Sequence, residues 1–330
     1  MVAQIDWPYI KNARLRSAVR LLSYVAFEGR PPTTKGQFIN PAVQRWLNAL
    51  SRIDRQQIPD RPIFLIGMGR SGTTLIGRVL GVHEQVGFLN EPKALWHTVH
   101  RGEDVSGQYA DSGRFILDEH DATPEVAERA RRLVTSYLQL TRSKRVVDKY
   151  QELTYRVGFL REIFPDAKIV AIVRSPAAVA SSIEAWNQRN AVGREDWWGV
   201  NGAKWRQMLQ ELVPKYLPEA YASRVDDDSD AYERGVIEWL VSTSAVADAA
   251  SAGQIDHVLR YESLLARPNV AVSQLLESLE LEPSQRVSNF VRSTVAARPA
   301  KSDAGIRCKQ WAGLVADLQL RLIEGPVSRP

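Results

Sequence analysis

The run "GMGRSGTT" at 67–74 brings together residues that could hold a phosphate. Gly67, Gly69 and Gly72 spell G-x-G-x-x-G, the spacing of a dinucleotide loop. Gly67 and Gly72 are also the two glycines of a G-x-x-x-x-G-K-[ST] loop, but Thr73 stands where that pattern needs lysine. Glycine lets backbone approach an anion closely. A helix starting directly after the loop turns its free N–H groups and positive dipole end to the same point. Arg70 can add a guanidinium from inside the loop, and Ser71, Thr73 and Thr74 can add hydroxyls. The dinucleotide reading would use Glu91, about 20 residues on, for a ribose hydroxyl. The kinase-like reading lacks the cation that reaches β- and γ-phosphates. A merely tight strand–helix turn would use the same glycines.

A second stretch repeats this logic. In "IVRSPAAVASSIEAW" Arg174 ends an apolar strand, Ser175 is a good N-cap and Pro176 a good first helical residue. Ser182 lies two helical turns beyond Ser175 and faces the same way, whereas Ser181 points about 100° away. Arg174 and Ser182 can therefore converge on a second anion, although an ordinary strand–helix join would read similarly. Two anion-binding strand ends suggest a nucleotide phosphorylated in two places. Glu91 follows the strand "QVGFLN" and is the candidate general base.

These residues need a scaffold, and the periodicity supplies one. "PIFLIGM", "QVGFLN", "RVVDK", "AKIVAIVR" and "HVLRY" read as short strands. Helical stretches alternate with them, including "SGTTLIGRVLGVH", "TPEVAERARRLVTSYLQLT" and "SPAAVASSIEAW". That alternation implies an α/β fold with a parallel, doubly wound sheet. Residues 1–54 read as a helical extension packed on a single domain at 55–330, with 187–231 laid over the sheet edge as helices and loops. In that insertion "DDDSD" reads as a solvated loop. Residues 13–27 place Leu15, Val19, Leu22, Val25 and Phe27 on one side of a basic helix. Such a helix could lie on a membrane; the ordinary expectation is that its apolar side packs on its own domain.

Composition narrows the partners. In 330 residues, 44% hydrophobic content is enough for a full core. A net charge of +5 with no long basic tract argues against a nucleic-acid arm and suits small anionic ligands. Cys308 is the single cysteine, which excludes an intrachain disulfide framework. No apolar run has transmembrane length and the first residues lack a signal-peptide layout, so the expectation is a soluble cytoplasmic protein. There is no His/Cys cluster with metal-ligand spacing, so no metal is expected. His83 reads as structural.

Four segments carry a family resemblance, in order, over about 60–320. "FLIGMGRSGTTLI" resembles the 5′-phosphosulfate loop of sulfotransferases that use 3′-phosphoadenosine 5′-phosphosulfate (PAPS). "IVRSPAAVASS" is similar to their 3′-phosphate motif, "FPDAKIVAIVR" to its lead-in strand, and "LRYESLLARP" to their Tyr-Glu-Asp-Leu segment, with Ser263 in place of Asp. The arginine loop and the Glu91-Pro92 pair resemble the Golgi carbohydrate and tyrosylprotein branch; the cytosolic aryl and steroid branch has a lysine loop and a histidine base.

The resemblance implies a P-loop-like three-layer fold and PAPS as donor, with adenosine 3′,5′-bisphosphate as product. Gly69, Arg70, Ser71, Gly72, Thr73 and Thr74 would cradle the 5′-phosphate, and Arg174 and Ser182 the 3′-phosphate. Arg70 and Lys149 would neutralise charge around the transferring group, and Glu91 would take the acceptor's proton. In the tail, Arg298, Lys301 and Arg307 are the cations that could close over the nucleotide, though the Arg-Lys-Gly-x-x-Gly form is missing there. Trp96, His97, Trp186 and Trp197, with Trp198, could wall the acceptor cleft. The acceptor implied is a carbohydrate or glycolipid hydroxyl; a small metabolite or lipid also suits the chain. A nicotinamide oxidoreductase leaves Arg174 and Ser182 unexplained, an atypical kinase would depend on magnesium and ATP, and a nucleotide-binding scaffold would not need Glu91.

Overall fold

The computed structural model describes residues 2–29, 40–54, 58–107, 109, 113–191, 193, 195–297 and 305–324. Seven strands occur among them: β1 Ile63–Ile66, β2 Val86–Asn90, β3 Arg145–Lys149, β4 Lys168–Val173, β5 Glu195–Asp196, β6 Gly199–Val200 and β7 His257–Arg260. β5 and β6 form a small antiparallel ribbon inside the insertion. The other five form one parallel sheet in the order β2-β3-β1-β4-β7.

The reason lies in the side-chain alternation. β1, β2 and β3 are buried along their whole length, which requires cover on both faces. Phe64 and Ile66 point into one apolar layer with Leu89 and Trp96, while Ile63 and Leu65 point into the other with Val170, Ile172 and Leu259. The result is a three-layer α/β fold with helices on both sides of the sheet.

All five strands run the same way, so their C-terminal ends share one edge of the sheet. Along it come Glu91 after β2, Lys149 at the end of β3, the glycine loop after β1, Arg174 after β4 and Tyr261 after β7. At about 4.8 Å per strand, Glu91 and Arg174 are separated by roughly 14 Å across the edge. The chain leaves β1 toward β2 and leaves β4 toward β7, so the direction of winding reverses at β1 and β4, where open α/β sheets place their ligands.

The long helix Ala231–Ser251 backs this edge from the insertion side. Its N-cap is Asp230, whose carboxylate accepts from the Glu233 N–H at 2.8 Å. The last residue of "DDDSD" is thus a helix cap and not only solvated loop.

The N-terminal segment differs from expectation. It contributes to both apolar layers, through Phe27, Val43 and Leu47 on one side and Tyr9 and Ala13 on the other. The apolar stripe of the helix Arg14–Ala26, however, faces outward: Leu15 is 88% exposed and Leu22 51%. The buried side chains of that helix are Arg20 and Ser23. β2 is the reason, because it is an edge strand with unpaired backbone groups. Arg16 donates to the Val86 and Glu84 carbonyls. Glu28, fully buried, accepts the Asn90 N–H at 2.7 Å and pairs with Arg20 at 2.7 Å. Polar groups on the helix take the place of a further strand, and the apolar side is left outside. Among the described residues no helix is long and apolar enough to cross a membrane.

This arrangement sets a stability contrast. Glu28→Ala leaves the Arg20 guanidinium and the Asn90 N–H buried without their partner, at a cost of about 3–5 kcal/mol, whereas Leu15→Ala changes stability by less than about 0.5 kcal/mol. Urea denaturation of both variants checks the pair.

Candidate functional site

The loop is built from its surroundings. Gly67 donates its N–H to Thr154 Oγ1 at 2.8 Å, which fixes the exit from β1. A Cβ on Gly69 would meet Gln151 and, at 2.7 Å, the ring of Trp197. Gly72 has φ +94° and lies against the Tyr261 ring, so it must be glycine on both counts. Gly72 is also the N-cap of the helix Thr73–Gly81, and without a side chain it cannot cap it. The first N–H groups of that helix are left for an anion.

Arginines gather beside them. Arg70 Nε donates to Ser182 Oγ at 2.9 Å. Arg174 Nη1 donates to the Arg70 carbonyl at 2.8 Å, and its guanidinium lies over the Tyr261 ring, 4.5 Å from the centroid. Burial lowers the Arg70 pKa, and Arg174 and then Arg189 lower it further; among the described residues the charges that act on it are both positive. Guanidinium groups gathered beside free helix N–H groups suit a polyanion. The helix that carries Ser182, Pro176–Asn190, is held at its start by Glu262, which accepts the Ser175 N–H at 3.0 Å. The Ser175 hydroxyl makes no capping bond to that helix. Tyr261 and Glu262 therefore tie the two expected phosphate sites together, a part that sequence alone does not assign to them.

At the other end of the edge stand Glu91 and Lys149. Glu91 has φ +52°, unusual for a residue with a long side chain. Its N–H donates to the Lys149 carbonyl at 2.6 Å, extending the β2–β3 ladder by one rung, and its carboxylate pairs with the Lys149 ammonium. Lys149 is buried, so it is not the surface lysine that a strand end often carries.

Three expected acceptor residues are buried, Trp198 at 1% exposure and two others. Trp96 is 2% exposed and donates Nε1–H to Asp148 Oδ2 at 2.8 Å, inside the core. A buried carboxylate needs such a donor, and this one turns the indole inward. His97 is also buried; its ring stacks on Tyr109 with centroids 5.3 Å apart, and burial followed by Arg101 lowers its pKa. Neither side chain lines an open cleft.

Trp186 and Trp197 do meet at the edge, 5.4 Å between centroids and nearly perpendicular. Trp197 and Trp198 both donate indole N–H to Glu238 Oε2 at 3.0 Å, and Lys204 donates to Glu238 Oε1 at 2.8 Å. Glu238 thus pins the insertion against the glycine loop. Lys204 and Glu238 carry no sequence signal, being 34 residues apart on two separate helices. Arg307 pairs with Glu184 at 2.7 Å, on the same helix as Ser182. Arg298 and Lys301 lie outside the described residues. His83 has a structural setting, donating to the Glu282 carbonyl at 2.9 Å. No His, Cys, Asp and Glu cluster among the described residues could hold a metal.

The pattern of the sulfotransferase family matches residues 62–285, a span that contains the glycine loop, Glu91, Lys149, Arg174, Ser182 and Tyr261. The chain belongs to that family. It is 22% identical over 237 residues to nodulation protein NoeE of Sinorhizobium fredii, covering 70% of this chain and 52% of that one. It is 32% identical over 133 residues to an uncharacterized protein of Aquifex aeolicus, covering 37% of this chain and 16% of that one. The match thus spans less than two thirds of either relative. Among solved structures, the sulfotransferase domain from the curacin biosynthetic pathway aligns with a TM-score of 0.47 at 14% identity, over 81% of this chain and 98% of that one. Sulfotransferase STF1 of Mycobacterium tuberculosis aligns with a TM-score of 0.43 at 17% identity, over 97% and 94%.

Buried acids lie in the core behind this edge. Burial pushes Asp148 up to about 8 and Glu103 up to about 7. The folded chain keeps these protons where the unfolded chain has released them, so their contribution to stability falls as pH rises from about 4. An amide keeps the bond from Trp96 without the charge. Asp148→Asn should therefore melt higher than the parent at pH 8, with the gain vanishing near pH 4; thermal melts across that range check it.

Proposed function

We propose that this chain transfers the sulfuryl group of PAPS to an acceptor hydroxyl, with Glu91 as the general base. One observation carries the reading: Arg70, bonded to Ser182 and to Arg174, stands beside an uncapped helix N-terminus on the same sheet edge. Family membership supports the donor. PAPS has phosphates at two positions and none at β or γ, so Thr73 in place of the loop lysine is no defect. When bound, PAPS supplies a sulfur-centred group attached to a phosphate that can leave as an anion.

The chain's own residues then divide the work. Backbone N–H groups of Ser71, Gly72, Thr73 and Thr74, with the threonine hydroxyls, hold the 5′-phosphate. Arg70 stabilises charge on that phosphate as the bond to sulfur breaks. Arg174 and Ser182 hold the 3′-phosphate, with Arg189 near enough to add charge. Lys149 neutralises the sulfuryl oxygens, and the proton of the acceptor hydroxyl passes to the Glu91 carboxylate. Trp186 and Trp197 form the apolar side of the acceptor channel, held by Glu238. Arg298 and Lys301 are the proposed closing cations. The Glu91-Pro92 pair and the arginine loop favour a carbohydrate or glycolipid hydroxyl as acceptor, with a small metabolite or lipid as the other class.

Adenosine 3′,5′-bisphosphate at a hundred times its dissociation constant should stabilise the chain by about 2.7 kcal/mol in a thermal melt; a response to NADH or Mg-ATP in its place would point to another phosphate ligand. Glu91→Gln should keep that stabilisation and lose sulfuryl transfer about 10²–10⁴-fold. Undiminished transfer by a clean Glu91→Gln preparation would remove Glu91 as the base.

A further inference from the structure

We propose that the outward face of the helix Arg14–Ala26 docks the protein on an anionic lipid bilayer. The helix carries Leu15, Ala18, Leu22 and Val25 at a spacing that puts them on one side. That side is turned to solvent, where Leu15 is 88%, Leu22 51% and the adjoining Leu21 40% exposed. Trp7, on the short helix just before, is 73% exposed. Contiguous exposed apolar side chains on a folded protein mark a surface that meets something else. The opposite side of the helix is fixed, because Arg16 is bonded to the β2 edge and Arg20 is buried in its pair with Glu28. The helix cannot roll over to bury its apolar stripe without breaking both.

Charge selects the occupant. Between Trp7 and Phe27 the sequence has Lys11, Arg14, Arg16 and Arg20 and no Asp or Glu. Lys11 and Arg14 are exposed beside the apolar stripe. A symmetric contact with a second copy would set these cations against their own counterparts with no acid in the segment to pair them. A bilayer with anionic headgroups meets both requirements, taking the leucines into the acyl boundary and the cations at the headgroups. The surface belongs to residues outside the span 62–285 that matches the family pattern. It is mechanically tied to the reacting edge, since Glu28 directly follows the helix and holds the Asn90 N–H next to Glu91.

The test is co-sedimentation of the full chain with vesicles of phosphatidylcholine alone and of phosphatidylcholine with phosphatidylserine. The parent should partition onto the phosphatidylserine vesicles, and added salt should weaken it. Leu15→Glu/Leu22→Glu should reduce the partitioning at least about tenfold while keeping the thermal response to adenosine 3′,5′-bisphosphate, which shows that it folds. Lys11→Glu/Arg14→Glu provides a second variant that leaves the apolar stripe intact and should bind more weakly to phosphatidylserine vesicles only. Absence of vesicle binding by the parent overturns the proposal. So does a parent dimer in sedimentation velocity that Leu15→Glu/Leu22→Glu dissolves.

Discussion

The Tyr261 ring touches both proposed anion-binding elements, with Gly72 against it and the Arg174 guanidinium over it. This contact sets how close the loop after β1 can come to the end of β4. A side chain at position 72 would push the loop away from the ring, and loss of the ring would leave Arg174 without the surface that orients it. Next to the ring, Glu262 takes the first N–H of the helix that presents Ser182. One short segment at the end of β7 thus fixes the separation of the two elements proposed to bind phosphate, which are about 100 residues apart in the chain. A rigid spacing of this kind suits a ligand with two anionic groups at a fixed distance.

The charges at this edge suit the proposed ligand. Arg70 has its pKa lowered by burial and by the repulsion of Arg174 and Arg189. Folding maintains it because Arg70 has Ser182 and Arg174 has a backbone carbonyl as neutral partners. At the opposite end of the same edge the balance differs, since Lys149 already has Glu91 as counter-ion. The edge therefore runs from a carboxylate–lysine pair to a group of arginines. That asymmetry would suit the proposed donor, with its phosphates toward β4 and its transferable group toward β2 and β3.

Much of this was legible in the sequence. The strands showed as short apolar runs between turn residues, and the parallel sheet followed from their alternation with helices. The loop glycines, Arg70, Arg174 and Glu91 could be picked out because each follows a strand end, and Ser182 because it lies two helical turns beyond Ser175. The failures share a cause, namely a partner far away in the chain. Trp96 looked like cleft wall because Asp148, its acceptor, lies on another strand. His97 was equally open to misreading until Tyr109 covered it. The helix Arg14–Ala26 has an apolar side and a basic side, and periodicity alone puts the apolar one inside. The β2 edge and Glu28 reversed that choice by offering acceptors to Arg16 and Arg20. Lys204 and Glu238 were invisible for the same reason.

The central claim is that two separate anion sites hold the two ends of one nucleotide, and calorimetric titration of the parent and Arg174→Ala with adenosine 3′,5′-bisphosphate and with 5′-AMP tests it most directly. The account predicts that the parent prefers the bisphosphate. Loss of the charged hydrogen bonds to the 3′-phosphate should then cost Arg174→Ala roughly 1.5–3 kcal/mol for the bisphosphate and little for 5′-AMP, so that the preference collapses. Equal weakening toward both ligands, or no change toward either, would contradict a 3′-phosphate site at Arg174.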